Sequence, residues 1–174
     1  MNREAVLQCI RTRRSIRTFA SRQVEKEALE AVLEAGTWAP TGQGKQSPVI
    51  IAVQDPKTRA QLVRMNAEVM GRDSDPYYGA PTLILVLADP AVTTWIEDGS
   101  CVLNTMLLAA HAVGLGGVWI HRERQMFDGE EGKALLKAWG LDPTLRGVGA
   151  IALGYPQTEA PQPKPRKENY IIRI

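Results

Sequence analysis

A dense run of positive charge near the N-terminus is the part of this sequence best suited to chemistry. Four arginines fall within residues 11–17, and no acidic residue lies among them. If the segment is extended, alternate side chains point the same way at a spacing of about 6–7 Å. Arg13, Ser15 and Arg17 would then share one side. Two guanidinium groups beside a hydroxyl are suited to binding a phosphate.

Two other interpretations of this segment stay open from the residues alone. One is a solvated basic turn with no ligand. The other is an arginine-rich patch that binds nucleic acid. The second is the weaker of the two, because the net charge of the chain is only +2. The segment also lacks the interleaved aromatic residues that such patches carry.

The composition predicts one domain that covers residues 1–174. A chain of 174 residues with 44% hydrophobic and 23% charged residues is ordinary for a soluble globular protein. No apolar run reaches the roughly 20 residues of a membrane span, and charged residues at Arg3 and Glu4 exclude an apolar signal core. We therefore expect a cytoplasmic protein that does not bind a membrane.

The cysteines and histidines predict neither a metal site nor thiol redox chemistry. Cys9 and Cys101 lie in apolar helical segments without a CxxC spacing, which is typical of reduced packing residues. Two scattered histidines add no pattern of metal ligands. His111, near the end of a helix rich in alanine, is expected to pack or to cap.

Apolar periodicity predicts the elements that position the arginines. Helices are predicted over residues 3–12, 21–36, 56–70, 95–113 and 129–139, and strands over 49–53, 82–87, 118–120 and 145–153. The helix over 95–113 is apolar nearly all round, which predicts a central helix with part of its surface in a dimer interface. The arm 157–174 is rich in proline and basic residues, and its end, 170–174, is predicted to form an edge strand.

The connector 37–48 is a candidate for the second half of a site. It holds two prolines, two glycines and several uncharged polar side chains between a predicted helix and a predicted strand. Glycines let backbone amides approach a ligand closely, and Gln43 and Gln46 offer both donors and acceptors. Loops of this length in compact domains are often functional, although a plain connector is the alternative.

Four segments, in this order and spacing, resemble the FMN-dependent nitroreductase family over nearly the whole chain. They are RRSIRTF at 13–19, APTGQGKQSP at 39–48, DGSCVLNTMLLAAHAVGLGGVWI at 98–120, and LGYP at 153–156 followed by PKPRK at 163–167. The resemblance implies an α+β fold with a mixed, mainly antiparallel sheet surrounded by helices. It also implies an intertwined homodimer that binds two FMN molecules at the subunit interface.

The resemblance also assigns residues to the FMN. The flavin phosphate and ribityl chain would contact Arg13, Arg14, Ser15 and Arg17, and a late basic pair would close on the same phosphate, Lys164 and Arg166. The loop of the other subunit would touch the flavin edge through Gln43, Gly44 and Gln46. The backbone would meet the flavin ring at Trp119, Ile120 and His121. Many members of the family have Asn at the position of Gly44, so this contact falls to the backbone or to Gln43.

The activity that the resemblance implies is oxidation and reduction through the flavin. NAD(P)H would reduce FMN, and FMN would reduce a small organic acceptor, such as a nitroaromatic or a quinone, by a ping-pong mechanism. No catalytic side chain is predicted, since the flavin carries the chemistry and the sequence shows no nucleophile–base pair or carboxylate pair. The alternative is a flavin-binding protein without NAD(P)H turnover, used for storage or sensing.

Overall fold

The computed structural model describes residues 2–174 and places a four-stranded sheet between two layers of helices. The strands are β1 (Pro48–Val53), β2 (Thr82–Ala88), β3 (Gly116–Ile120) and β4 (Arg146–Gly154). The helices are α1 (Arg3–Thr12), α2 (Lys26–Thr37), α3 (Pro56–Met70), α4 (Trp95–Ala112), α5 (Glu123–Asp128) and α6 (Glu130–Ala138). Among the described residues, no helix is both long and apolar enough to cross a membrane.

The strand order is β1-β2-β4-β3, and every neighbouring pair is antiparallel. A parallel bridge between Ser15 and Gly117 adds the arginine segment to the outer side of β3. All seven residues of β2 are buried because helices cover both faces of this central strand. The predicted α+β fold with a mainly antiparallel sheet is therefore confirmed.

Side chains alternate along the strands and divide the core into two layers. On one face, Leu83, Leu85 and Leu87 pack in a cluster with residues of α3, α5 and α6. On the other face, Ile84 and Val86 pack in a cluster with residues of α2 and α4. The period of two in β2 thus decides which helices each side chain meets.

The helix α4 differs from its prediction on one side. Only the face turned to the sheet and to α2 is fully buried, including Leu103 and Met106. Glu97, Cys101 and Asn104 are exposed on the opposite face. The prediction that Cys101 is a packed residue is therefore wrong for the single chain, because α4 lies against the domain with one face only.

The C-terminal arm and one helix also differ from the predictions. Residues 170–174 form no strand, and the side chains of 157–174 are exposed, because the apolar end of the arm finds no cover in the single chain. The helix α5 was not predicted, since six residues are too few to show a clear periodicity. Helix α2 begins at Lys26 rather than at residue 21.

Candidate functional site

The arginine segment is held in place by its apolar neighbours. After α1 the chain is extended, and Ile16 N–H donates to the carbonyl of Gly117 at 3.2 Å. Ile16 and Phe19 are buried in the core, and Phe19 bridges to Pro156 in an antiparallel sense. These anchors fix where the polar residues between them can point.

A cavity of about 250 Å³ lies between this segment and the C-terminal end of α4. Arg13, Arg14, His111 and Gly117 are among its lining residues, and the start of the C-terminal arm closes one side at Ala160. The cavity therefore joins the predicted arginines to the beginning of β3.

Positive charge in this cavity is not neutralised by acidic residues. Within residues 2–174, neither Arg13 nor Arg14 has a carboxylate at ion-pair distance. Burial, and then the charge of Arg14, lower the pKa of Arg13. The guanidinium of Arg14 donates to the carbonyl of Arg11 at 2.8 Å and to that of Arg13 at 2.7 Å, while its Nε is buried without a partner. An anion in the cavity would satisfy both groups.

The histidine in this cavity is a site residue that the sequence did not indicate. The ring of His111 shares a hydrogen bond of 2.8 Å with Thr12 Oγ1. Burial, and then Arg13 and Arg14, lower its pKa. The imidazole is therefore neutral at pH 7, and its hydrogen bond couples α4 to the end of α1.

The other predicted cations lie apart from this cavity. Arg17 is exposed, and its guanidinium lies 5.8 Å from the ring centre of Tyr78. The expectation that Arg17 shares one side with Arg13 is therefore not met, and Arg14 takes that place. Lys164 and Arg166 are exposed on the arm, where Arg166 donates to the carbonyl of Lys164 at 2.7 Å.

The predicted loop lies beside β1, at the opposite edge of the sheet from the arginines. Gln43, Gly44 and Gln46 are exposed and have left-handed φ angles of 55°, 67° and 51°. Such angles are unfavourable for glutamine, so the surroundings must hold the loop in this shape. The opposite sheet edge is about 14 Å away, which is three strand spacings.

The anchor of this loop is Asp98, a residue that was not predicted as part of the site. Its carboxylate is buried and accepts from the Gly42 N–H at 2.8 Å and from the Thr94 hydroxyl at 3.1 Å. Thr41 Oγ1 accepts from the Gln46 N–H at 3.1 Å at the other end of the turn. The loop is therefore fastened to the N-terminal end of α4.

The outer edge of β3 presents free backbone groups. In a strand, the N–H and C=O of one residue point to the same side, and this side alternates along the chain. The carbonyl of Gly117 points outward to Ile16, so the N–H and C=O of Trp119 point outward too. Ile120 is buried and His121 is exposed at the end of the strand.

A buried polar network supports the turn after β3. The hydroxyl of Tyr77 donates to Glu123 Oε1 at 3.0 Å, and Asn66 Nδ2 donates to the carbonyl of His121 at 3.0 Å. Arg122 Nε donates to Asn66 Oδ1 at 2.7 Å. Arg122 has a left-handed φ of 87°, which costs on the order of 1–3 kcal/mol and persists because such contacts hold it.

Glu123 is a buried carboxyl group of this network, and its pKa lies close to neutral pH. The side chain is completely buried, and Oε2 has no hydrogen-bond partner among residues 2–174. Burial raises the pKa of Glu123 to about 8. Burial, and then the charge of Glu123, raise the pKa of Tyr77. Both groups are therefore neutral at pH 7.

Comparison with known proteins gives this arrangement a family. A sequence model described as the nitroreductase family matches residues 10–81. A protein of Archaeoglobus fulgidus, provisionally named NADH dehydrogenase/NAD(P)H nitroreductase, is 33% identical over 164 residues, which cover 90% of this chain and 88% of the relative. The chain belongs to the nitroreductase family.

Solved structures of nitroreductases share the fold along the whole chain. A Bacteroides fragilis nitroreductase with bound FMN superimposes with a TM-score of 0.90 at 28% identity, and the match covers 100% of both chains. A provisionally named nitroreductase of Desulfovibrio desulfuricans, in complex with FMN, has a TM-score of 0.74 at 30% identity. That match covers 97% of this chain and 96% of the other.

Sequence patterns could have revealed some of the site residues that the prediction missed. Asp98 lies in the first turn of α4, where the helix dipole favours an acidic side chain. Asn66 and Tyr77 carried no such signal, because each is a single polar residue in an ordinary surface pattern.

We expect the substitution Glu123→Gln to flatten the dependence of stability on pH. The buried carboxyl keeps its proton up to about pH 8, whereas the unfolded chain loses it near its ordinary value of 4.5. The free energy of unfolding therefore falls by about a few kcal/mol as pH rises between these values. Above about pH 8 it levels off.

Urea unfolding of the protein at a series of pH values measures this effect. Glu123→Gln should lose less stability than the parent between about pH 5 and pH 8. The exposed substitution Glu30→Gln is the control and should keep the parent's slope. Equal slopes for Glu123→Gln and the parent would mean that Glu123 is ionised in the folded protein.

We expect Asp98→Ala to release the loop that begins at Gly42. The substitution leaves the Gly42 amide without its acceptor, and it costs about 1–3 kcal/mol in stability. Hydrogen exchange of the amides of 42–46 should become faster, while Glu97→Ala, on the exposed face of α4, should leave their exchange as it is. Unchanged exchange in Asp98→Ala would show that another contact holds the loop.

Proposed function

We propose that this protein is an FMN-dependent oxidoreductase that uses NADH or NADPH to reduce a small organic acceptor. The observation that supports it best is the uncompensated arginine cavity, whose lining includes Gly117 of β3. When bound, FMN supplies a ring that takes up two electrons from the nicotinamide and gives them to the acceptor in alternating half-reactions. The residues of this chain bind and orient the cofactor and the substrates.

The residues around the cavity fit a phosphate group. Arg13 and Arg14 bring two positive charges without a carboxylate partner, and Arg14 Nε is a buried donor that lacks an acceptor. Ser15, the next residue, forms the bridge to Gly117 of β3. Charge-assisted hydrogen bonds to a phosphate would satisfy these donors. Three exposed cations are proposed to close on the same phosphate: Arg17, Lys164 and Arg166.

The free edge of β3 is proposed to meet the flavin ring. The outward backbone groups of Trp119 can donate to and accept from the polar edge of a flavin, and Ile120 and His121 continue the strand beside it. The network of Asn66 and Glu123 fixes this backbone, because it holds the carbonyl of His121. The chain thereby offers a rigid edge for orienting the ring.

The position of the loop supports a site that two subunits share. The loop with Gln43, Gly44 and Gln46 is fastened beside β1, and β1 and β3 are opposite edges of one sheet. Within one chain, the hydrogen bond from Gly42 to Asp98 holds the loop in its place beside β1. We therefore propose that the loop of a second copy covers the flavin ring.

Exposed apolar side chains agree with such a homodimer. In addition to the open face of α4, several large apolar side chains are exposed. They include Val6, Ile10, Trp38, Ile96, Val113, Tyr170, Ile171, Ile172 and Ile174. Patches of this kind mark interaction surfaces. We propose that two copies pair along α4 and that each arm of 157–174 docks on the partner, so that residues 1–174 form one domain with an exchanged arm.

The absorbance spectrum of the purified protein tests the cofactor and the turnover together. A yellow sample that NADH or NADPH bleaches under nitrogen would support the oxidoreductase. A yellow sample that neither nicotinamide bleaches would favour a flavin-binding protein for storage or sensing. A colourless protein that does not bind added FMN would refute the proposal.

We expect Arg13→Ala to weaken the binding of FMN about tenfold to a hundredfold. The substitution removes a charge-assisted contact of about 1.5–3 kcal/mol. Riboflavin, which lacks the phosphate, should bind equally well to the variant and the parent. Arg11 is exposed and pairs with Glu4, so Arg11→Ala is the matched control. If Arg13→Ala lowers the affinity for FMN and for riboflavin equally, the phosphate lies elsewhere.

We expect deletion of residues 157–174 to lower both the dimer stability and the flavin content. The deletion removes the apolar end of the arm together with Lys164 and Arg166. Sedimentation at micromolar concentration, with absorbance of the flavin as a second readout, compares the full chain with the truncation. A truncation that stays dimeric and yellow, or a full-length monomer that keeps its flavin, would contradict this expectation.

A further inference from the structure

A second cavity, the indole cleft, lies at the other end of β3. It measures about 330 Å³, and its lining includes Trp95, Ser100, Trp119, His121, Arg122 and Arg124. Trp119 and His121 also border the free edge where the flavin ring is proposed to lie. The cleft is therefore next to the place where an acceptor would have to receive electrons.

Aromatic rings form the wall of this cleft. The rings of Trp119 and His121 lie with centroids 5.8 Å apart and planes inclined by 31°, and the indole of Trp95 lies on the α4 side. Such rings favour flat aromatic ligands in offset or tilted contact. The volume is at the lower end of the range for small-molecule sites, which suits a single substituted ring.

The charge around the cleft is positive. The guanidinium groups of Arg124 and Arg146 lie 5.7 Å and 5.6 Å from the ring centre of Trp95, and Arg122 lines the cleft. Asp128 is the carboxylate that pairs with them, through Arg146 Nε at 2.8 Å and Arg124 Nε at 3.9 Å.

The remaining acid at this turn adds no negative charge at pH 7. Glu123 is buried behind Arg122, away from solvent, and its raised pKa keeps it protonated. Three guanidinium groups thus lie around the cleft, and Asp128 pairs with two of them. Arg146 is bound by both oxygens of Asp128, and Arg122 donates to Asn66. Arg124 is exposed and lies 3.9 Å from Asp128, so it is the cation best placed to attract an anionic ligand.

We infer that the indole cleft selects flat aromatic acceptors that carry an anionic group such as a carboxylate. This inference rests on the proposed function, since it names the substrate class of the same site. The ring would lie against Trp119 and His121, with the anionic group towards Arg124. A nitro group would take up two electrons and two protons to give a nitroso group and water. The electrons and one proton come as hydride from NADH or NADPH, and the second proton comes from solvent.

The test compares two acceptors of similar size and electronic character on the FMN-loaded protein, 4-nitrobenzoate and 4-nitrobenzyl alcohol. We expect kcat/KM to be at least about tenfold higher for the carboxylate. The variant Arg124→Gln should lower this ratio about tenfold, as expected for one lost charge contact. Arg124→Lys, which keeps the charge, should restore part of the ratio. Arg72→Gln, an exposed change on the loop after α3, should keep the parent's ratio.

Other outcomes separate the inference from the proposed function. Turnover of both acceptors with a ratio near one, or with a ratio that Arg124→Gln does not change, would overturn the inference and leave the oxidoreductase standing. The same holds if Arg124→Gln raises only the KM for the nicotinamide, since its charge would then serve the donor. The inference would also be overturned, and the oxidoreductase left standing, if neither acceptor is reduced while NADH or NADPH still bleaches the flavin. Failure of this bleaching would refute the proposed function, and the inference with it.

Discussion

Backbone polar groups at a sheet edge need partners, and this requirement organises the structure around β3. A free strand edge invites pairing with other chains unless it is covered or used. Here the arginine segment covers the first part of the edge, with Ile16 bonded to Gly117, and leaves the part at Trp119 open. The same bridge brings Arg13 and Arg14 to one end of the open edge, and the Asn66–Glu123 network stiffens the other end. One unpaired strand therefore fixes both the place of the phosphate and the place of the ring in the proposed site.

Electrostatics at the two ends of β3 follow different physical causes. At the arginine cavity the cations are close together and lack a counterion, so burial and repulsion make this end ready for an anion. At the turn after β3 an acid is buried without a full set of partners, and burial keeps it neutral instead of charged. The first end therefore stores unfavourable charge that a ligand can relieve. The second end removes a charge that would otherwise oppose the arginines of the indole cleft.

The sequence predicted most elements whose signal is local. Asp55 and Pro56 start α3 as expected, with Asp55 accepting from the Thr58 amide at 2.7 Å, and the apolar run of β2 is the fully buried central strand. Features that depend on distant contacts were not predictable in this way. Tyr77 looked like a loop residue, yet it is buried because Asn66 and Glu123 meet it from other elements. Similarly, Arg13, Arg14 and the loop of Gln43 could be recognised, but only the sheet order showed that they lie at opposite edges.

The exposed arm has a consequence for the life of the newly made chain. Its last five residues are apolar except for Arg173, are rich in β-branched side chains, and are open to solvent. Segments of this composition nucleate aggregates and are recognised by quality-control machinery when they stay uncovered. Lys167 before this segment and Arg173 within it are charged residues of the kind that slow such self-association. In the proposed homodimer, docking of the arm on the second copy would cover this segment and so remove it from the reach of proteases and chaperones.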